Sequence, residues 1–280
     1  MTLLNGKKLS EKILDNLKKE IAEENLKLKL AVILISGDPV SKIFVKQKKI
    51  ACKKIGIEFL PFEFSGKASF SEIAGIIKKL NKKPDISGII VQLPLLEHLR
   101  KRDQEILNII SAKKDIDILS EENLGKFYTG KLFVLPPVVG AVSFLLNSHK
   151  IPVKGKDIVL VGAGRLVGFP LAVWLLKQKA TVSVINEFTE DACDFLKKSD
   201  IIISGAGKPN LIKGSMVKKE VIIIDAGTVL KQGRLIGDVE FKSVSKKAKF
   251  ITPVPGGVGP LTVACLLENL VKLNQNARWF

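Results

Sequence analysis

The sequence of 280 residues has few of the residues on which several protein classes depend. Its three cysteines, Cys52, Cys193 and Cys265, are far apart, which argues against a disulfide framework and against a zinc site. Only two histidines are present, so we expect no metal. No apolar run approaches the roughly 20 residues of a membrane span. The first residues also lack the apolar segment of a signal peptide, so we expect a cytoplasmic protein without membrane contact.

Acidic residues are scarce as well, because 45 Lys and Arg against 28 Asp and Glu give a net charge of +17. This charge suits an anionic partner, and one hypothesis is a basic nucleic-acid-binding protein. However, only five of these basic residues are arginine, which base recognition favours, and the lysines are spread along the chain. A solvated, lysine-rich surface accounts for the charge, and we expect no nucleic-acid partner.

Strand-like and helix-like segments alternate along the chain, and the length suits about two domains. In the first half, the strands LKLAVILIS (which ends at Gly37), IEFLPFEF and SGIIVQL alternate with amphipathic segments; in the second half, DIVLVG, TVSVIN, DIIISGAG, EVIIIDAG and LIGDV follow. The predicted helices cover residues 8–26, 40–55, 70–82, 101–111, 135–150, 165–178 and 190–198. This alternation predicts two α/β lobes with parallel sheets and a ligand cleft between them.

A glycine-rich turn, VLVGAGRLVG, follows the first strand of the second half. Gly162, Gly164 and Gly168 form the spacing G-x-G-x-x-x-G between a strand and a helix. Bare backbone there lets a pyrophosphate approach the amides at the helix N-terminus. A structural turn that binds no nucleotide is the alternative, but the strand before and the helix after favour a dinucleotide site.

Several polar residues of the first half stand where a ligand would reach them. Phe44 and Lys48 share one helix face after a strand, although any one lysine in so basic a chain is usually solvated. Gln92 closes an apolar strand and either bonds the backbone or contacts a ligand. In KDID, a carboxylate of Asp115 or Asp117 has two possible roles: it caps the next helix, or it accepts two hydrogen bonds from a planar ligand with two adjacent N–H donors.

The stretch PVPGGVGPLT, from Pro253 to Thr262, precedes an apolar run. Its prolines restrict the backbone, and its glycines leave the backbone without side chains. By itself it is either a plain turn with Pro260 at the first helical position or a loop that a ligand approaches closely. The motifs S-x-x-F-V-x-x-K, V-Q-L-P-L, K-D-I-D, G-x-G-x-x-x-G-x-P and P-G-G-V-G-P-L-T occur in this order. With them, the chain resembles the bifunctional methylenetetrahydrofolate dehydrogenase/methenyltetrahydrofolate cyclohydrolase family over roughly residues 4–272.

The resemblance implies a folate-binding catalytic domain over residues 1–134, completed by a C-terminal helix over 260–280, and a Rossmann NAD(P)-binding domain over 135–259. It implies a homodimer and a folate substrate, including polyglutamylated forms. It assigns catalytic roles to Lys48, Gln92 and Asp117, with Asp117 also holding the pterin. The other substrate contacts that it implies are Phe44, Pro255, Gly256, Gly257 and Pro260. The cofactor contacts are Gly162, Ala163, Gly164, Arg165, Val167, Gly168, Glu187, Gly227 and Thr228.

The chain departs from the family pattern at several of these places. Phe44 replaces the usual tyrosine, so the ring can stack but cannot hydrogen-bond. Ile118 stands where a glycine follows the pterin-binding aspartate, Leu261 replaces a methionine, and residues 136–139 read PPVV in place of Pro-Cys-Thr-Pro. Ala163 and Gly164 replace an Arg-Ser pair of the nucleotide loop.

The resemblance predicts oxidation of 5,10-methylenetetrahydrofolate to 5,10-methenyltetrahydrofolate with NAD or NADP, followed by hydrolysis to 10-formyltetrahydrofolate. Phe44 leaves a monofunctional dehydrogenase as the alternative. Glu187 in VINEF lies about 20–25 residues beyond the glycines, where an acidic side chain can bond the ribose of NAD and repel a 2′-phosphate. The alternative is that its side chain points into solvent. Although the family usually takes NADP and Arg165 stands nearby, we expect NAD to be preferred.

Overall fold

The computed structural model describes residues 1–35 and 38–276 and divides the chain into two compact units. One unit combines residues 1–10 with 138–262, and the other combines 11–137 with the chain from 263 onward. The prediction of two α/β lobes with parallel sheets is confirmed.

The secondary-structure elements follow one another in the alternation that the sequence predicts. The helices are α1 (Gly6–Glu23), α2 (Pro39–Ile55), α3 (Phe70–Lys82), α4 (Glu97–Arg100), α5 (Asp103–Asn108), α6 (Glu121–Thr129), α7 (Pro137–Ser148), α8 (Gly168–Lys177), α9 (Ala192–Lys198), α10 (Phe241–Val244) and α11 (Val258–Asn276), with a 3-10 turn at Gly214–Met216. The strands are β1 (Thr2–Leu3), β2 (Lys29–Ile35), β3 (Glu58–Phe64), β4 (Gly88–Val91), β5 (Asp157–Val161), β6 (Thr181–Ile185), β7 (Ile201–Ser204), β8 (Val221–Asp225), β9 (Val229–Lys231), β10 (Arg234–Ile236) and β11 (Ala248–Ile251).

The unit built mainly from residues 11–137 contains a parallel sheet in the order β3-β2-β4. The central strand β2 is apolar and almost wholly buried, as expected for a parallel strand covered on both faces. After it, Asp38 caps α2 by accepting hydrogen bonds from the amides of Val40 and Ser41, and Pro39 occupies the first turn. These local signals start α2 directly beyond the carboxyl end of β2.

The unit built mainly from residues 138–262 contains a parallel sheet in the order β1-β11-β8-β7-β5-β6. The chain runs from β5 outward to β6 and then returns to β7 on the other side of β5. Such a reversal opens a crevice at the carboxyl ends of the strands, which is where open α/β sheets bind ligands. The glycine-rich turn follows β5 and therefore lies at this crevice.

In the unit built mainly from residues 11–137, the connections differ from the sequence prediction. The helix predicted over 101–111 is shorter and consists of α5 alone, and the separate helix α4 before it was not predicted. Arg102, which precedes α5, has a φ of −116°, and its guanidinium lies 3.6 Å from the ring centre of Phe70. Helix α6 was not predicted, although Ser120 caps it and Gly130 ends it in the left-handed conformation. The predicted strand end at Gly37 and residues 277–280 of the predicted last helix lie outside the described residues.

Candidate functional site

Lys48 and Gln92 meet at the carboxyl end of the sheet β3-β2-β4. Helix α2 buries one face, and Lys48 is on it with only 9% of its surface exposed. Its Nζ donates a hydrogen bond of 2.7 Å to Oε1 of Gln92. Gln92 follows β4 immediately, and its Nε2 donates to the carbonyl of Leu93 at 2.8 Å, which orients the amide oxygen toward the lysine. The glutamine therefore bonds both the backbone and the lysine.

The two aspartates of KDID have different surroundings. Asp115 is 1% exposed, and its carboxylate accepts hydrogen bonds from the amides of Leu119 and Ser120, the Ser120 hydroxyl and the Asn123 side chain. It thereby holds the start of α6. Asp117 is half-buried, and none of the described residues donates a hydrogen bond to its carboxylate. The two roles that the sequence left open thus fall to different residues: Asp115 serves the fold, and the Asp117 carboxylate is available to a ligand.

Burial works against the charged form of each group in this cluster. It lowers the pKa of the Lys48 ammonium, and the negative charge of Asp117 opposes this shift in part. Burial likewise raises the pKa of the Asp117 carboxyl, with Lys48 opposing. One turn further along α2, burial raises the pKa of the Cys52 thiol to about 12, so this cysteine is not a reactive thiolate. The lysine is therefore easier to deprotonate than a solvated one, which a proton acceptor requires.

Ile118 takes the backbone conformation that a glycine would favour. Its φ is +58°, in the left-handed region, although its side chain is β-branched and fully buried. The Asp115 hydrogen bonds to the following two residues hold this turn closed. The departure at Ile118 therefore keeps the turn after Asp117 and adds a buried side chain at the cost of backbone strain.

In the other unit, the glycine-rich turn after β5 is shaped by close backbone contacts. Gly162 has a φ of +97°, and a β-carbon on it would lie 3.0 Å from the carbonyl oxygen of Gly205. A β-carbon on Gly168 would lie 2.1 Å from the carbonyl oxygen of Gly162, so helix α8 starts against the turn itself. Gly164, in contrast, has open space where a side chain would be. The turn thus presents bare backbone to the crevice.

A pocket of about 420 Å³ opens beside this turn at the carboxyl ends of β5, β6 and β7. Gly162, Ala163, Gly164 and Glu187 all line it, as expected for cofactor contacts. The described residues that line the pocket do not include the other predicted cofactor contacts, Arg165, Val167, Gly168, Gly227 and Thr228. A strand-turn-helix with crowded glycines, an open pocket and an acidic residue after the second strand fits a dinucleotide.

The loop before α11 is packed against the start of α1. The Lys7 amide donates to the carbonyl of Gly256 at 2.9 Å, and Gly256 has a φ of +106°. A β-carbon on Gly6 would lie 1.8 Å from the carbonyl oxygen of Gly257. Pro255 follows a cis peptide bond and is exposed, and Pro260 is the third residue of the helix and not its first. The glycines thus have a packing reason in addition to any contact with substrate.

The sequence did not single out several residues that line the pocket. Asn186 and Phe188 flank Glu187 in a turn in which the Asn186 side chain accepts a hydrogen bond from the Phe188 amide at 2.9 Å. Lys208 lines the opposite wall, after β7. Their position after the carboxyl ends of neighbouring parallel strands was the available signal, but in so lysine-rich a chain Lys208 did not stand out.

Two further features concern the described residues only. Within residues 1–35 and 38–276, no helix has the length and apolarity needed to cross a membrane. Over the same residues, no three His, Cys, Asp or Glu side chains are grouped so that they could hold a metal ion.

Comparison with known proteins identifies both halves of the chain. Residues 4–117 match the tetrahydrofolate dehydrogenase/cyclohydrolase catalytic domain, and residues 136–278 match the NAD(P)-binding domain of the same family. A bifunctional FolD protein of Nautilia profundicola is 45% identical, with 99% of this chain and 98% of the relative covered.

Solved structures agree over the whole length. The bifunctional FolD methylenetetrahydrofolate dehydrogenase/cyclohydrolase of Campylobacter jejuni is 40% identical, with a TM-score of 0.92 and 99% of both chains covered. The FolD enzyme of Trypanosoma brucei, solved with NADP and an inhibitor, is 30% identical, with a TM-score of 0.94 and coverage of 99% and 98%. The chain belongs to the tetrahydrofolate dehydrogenase/cyclohydrolase family.

Proposed function

We propose that this chain oxidises 5,10-methylenetetrahydrofolate to 5,10-methenyltetrahydrofolate with a nicotinamide dinucleotide and then hydrolyses the product to 10-formyltetrahydrofolate. The observation that carries the proposal is the buried Lys48–Gln92 pair beside Asp117, in a family member with a glycine-lined pocket in its NAD(P)-binding domain. The family match favours this enzyme over the nucleic-acid-binding alternative.

Lys48 is the proton acceptor of the hydrolytic step. Methenyl-folate carries a positive charge, which further disfavours the ammonium form of a lysine whose pKa burial already lowers. The neutral amine takes a proton from the water that attacks the methenyl carbon. Gln92 holds the amine in place through the 2.7 Å hydrogen bond and orients the water with the same amide group.

Asp117 binds the pterin. A pterin presents an exocyclic amine and a ring N–H side by side, and a carboxylate with no donor among the described residues can accept from both. The negative charge of Asp117 also offsets the cost of burying the folate cation near Lys48. Phe44, one helical turn before Lys48 on α2, contributes a ring that stacks but does not hydrogen-bond.

The dinucleotide is held by the turn after β5. When the dinucleotide is bound, the backbone of residues 162–164 would hold its pyrophosphate and Glu187 would bind its adenosine ribose. The nicotinamide supplies the hydride acceptor when it is bound, and the protein positions the two reactants and excludes water. Pro255, Gly256, Gly257 and Pro260 form the substrate-facing loop, whose conformation the contacts with Gly6 and Lys7 maintain.

NAD is preferred to NADP. Glu187 lines the pocket and, in the described part of the chain, has no ion pair that would neutralise it, so its carboxylate opposes a 2′-phosphate. Lys208 in the same pocket favours NADP, because its ammonium attracts a phosphate. The effect of the Glu187 carboxylate outweighs that of Lys208, because Glu187 follows β6, the second strand of the nucleotide-binding motif, where the ribose binds.

The protein forms a homodimer through the edge of its larger sheet. Among the described strands, β6 pairs with β5 alone and has a free edge. Exposed apolar side chains surround this edge, namely Val184 on the strand and Phe169 and Leu176 on the neighbouring α8. A second copy would cover both features, so a solution mass near the 30.7 kDa of one chain would contradict the dimer. The cytoplasmic location stays a prediction.

Replacement of Lys48 by methionine tests the hydrolytic role, because it keeps the length of the side chain and removes the amine. General acid–base help amounts to about 10²–10⁴-fold, so Lys48→Met should lower the rate of methenyl-folate hydrolysis by that factor. Lys49→Met is the matched control on the exposed face of the same helix and should hydrolyse at the parent rate. A Lys48→Met variant within about threefold of the parent would overturn the role.

A further inference from the structure

Two buried carboxylates, Asp225 and Asp238, lie behind the nucleotide pocket without lining it. Asp225 is the last residue of β8 and is 3% exposed, and Asp238 follows β10 and is fully buried. No ion pair with a lysine or arginine of the described residues compensates either charge. Burying two carboxylates close together is costly, so hydrogen bonds to them have to offset that cost.

The Asp238 carboxylate accepts hydrogen bonds from three donors at the end of β7 and in the segment that follows it. Its Oδ2 accepts from the Ser204 hydroxyl and the Ala206 amide, both at 2.7 Å, and its Oδ1 accepts from the Lys208 amide at 2.9 Å. Gly205, Ala206 and Lys208 line the pocket. Three hydrogen bonds therefore tie the wall of the pocket opposite Glu187, residues 204–208, to one side chain.

The Asp225 carboxylate in turn fixes Asp238. Its two oxygens accept from the amides of Asp238 at 3.2 Å and Val239 at 2.9 Å, and also from the amide of Gly227 at 3.0 Å. Glycines permit this approach: a β-carbon on Gly227 would lie 2.1 Å from the Asp238 carboxylate, and one on Gly237 would lie 2.1 Å from Oδ2 of Asp225. Each carboxylate thus occupies the space that a side chain on the other's loop would fill.

We propose that Asp238 is a positioning residue for the dinucleotide, and that Asp225 couples it to the loop of Gly227. The buried carboxylate sets the conformation of residues 204–208, so that this wall is already formed before the cofactor binds. The inference rests on the proposed binding of the dinucleotide in this pocket. Its consequence is that Asp238 governs dinucleotide affinity without touching the ligand, whereas hydrolysis of methenyl-folate, which needs no dinucleotide, does not depend on it.

Asp238→Asn tests this inference. Asparagine keeps the size of the side chain but puts an NH2 group where one oxygen accepted, so at least one of the three donors loses its acceptor in either orientation. We expect calorimetry on the full chain to give a Kd for NAD raised about tenfold. The KM for NAD should rise in parallel, kcat at saturating NAD should stay within about threefold, and hydrolysis of methenyl-folate should be unchanged.

Asp200→Asn is the matched control. Asp200 precedes β7 at its opposite end and pairs with Lys218 at the surface, so the same chemical change should leave NAD affinity within about twofold. Ser204→Ala is the milder second variant if Asp238→Asn does not fold. It removes one of the three donors and keeps the carboxylate, and we expect about a threefold weaker affinity.

The outcomes separate this inference from the proposed function. If the parent binds neither NAD nor NADP, the proposed function fails and this inference fails with it. If the parent binds NAD and both Asp238→Asn and Ser204→Ala bind it equally well, only this inference is overturned. Parallel losses of NAD binding and hydrolysis would also overturn it, because they would reveal a general effect on folding.

Discussion

Replacing Asp117 by alanine should weaken folate binding strongly and leave the fold intact. Hydrogen bonds to a charged group contribute about 1.5–3 kcal/mol, and 1.4 kcal/mol corresponds to a factor of ten, so tetrahydrofolate should bind about one to two orders of magnitude more weakly. NAD affinity should not change. The fold should stay intact because no described residue donates a hydrogen bond to this carboxylate, so its removal leaves no donor unpaired.

The pKa of Asp117 sets the sign of the stability effect. Burial raises this pKa above its ordinary value of 3.8, so at neutral pH the ionised carboxylate makes the native state less stable than a neutral group would. Asp117→Ala should therefore keep or raise the free energy of unfolding at pH 7. As the pH falls toward 3.8, the native parent binds the proton before the unfolded chain does, and the difference between parent and variant should shrink.

Asp115→Ala, two residues earlier, is the matched comparison. In contrast to Asp117→Ala, it should lower the free energy of unfolding. Its loss leaves the buried amides of Leu119 and Ser120 without their acceptor, and each such group costs about 1–3 kcal/mol. We therefore expect a loss of about 2–6 kcal/mol in denaturant unfolding. Unchanged tetrahydrofolate affinity in Asp117→Ala, measured by calorimetry, would refute the pterin role, and a loss of more than about 2 kcal/mol of stability would show a structural one.

Two further predictions concern specificity and the second activity. Glu187→Ser should raise kcat/KM for NADP relative to NAD, because it removes the carboxylate that opposes the 2′-phosphate; a parent that prefers NADP tenfold or more, or an unmoved ratio, contradicts this explanation. Phe44→Tyr should raise the rate of methenyl-folate hydrolysis if the missing phenol limits that step, and an unchanged rate would mean that the ring alone suffices.

The sequence predicts the elements that have strong local signals. Buried β-branched runs and the glycine-rich turn place β2, β5 and the pocket correctly. It does not predict helix α6, whose short length gives little periodicity and whose start depends on the Asp115 carboxylate. Nor does it predict the short helix α4, or that α5 begins only at Asp103.

The same distinction applies to the site. The sequence pattern singles out Lys48, Gln92 and Glu187 as candidates, because each stands at a helix face or a strand end. In the structure, Lys48 bonds Gln92, and Glu187 lines the pocket. The pattern does not identify Asp238, because its donors lie 30 to 34 residues away and two of the three are backbone amides, which carry no residue-type signal. Interactions between side chains and distant backbone groups are thus what the sequence leaves open.

The most direct test of the proposed function follows both reactions in one sample. The purified chain is mixed with 5,10-methylenetetrahydrofolate and NAD, or NADP, and the absorbance of methenyl-folate is recorded against a sample without enzyme. We expect it to rise only when a dinucleotide is present and then to decay to 10-formyltetrahydrofolate at a rate proportional to the enzyme concentration. A rise without enzyme-dependent decay would leave a monofunctional dehydrogenase, and no rise with either dinucleotide would contradict the proposed function outright.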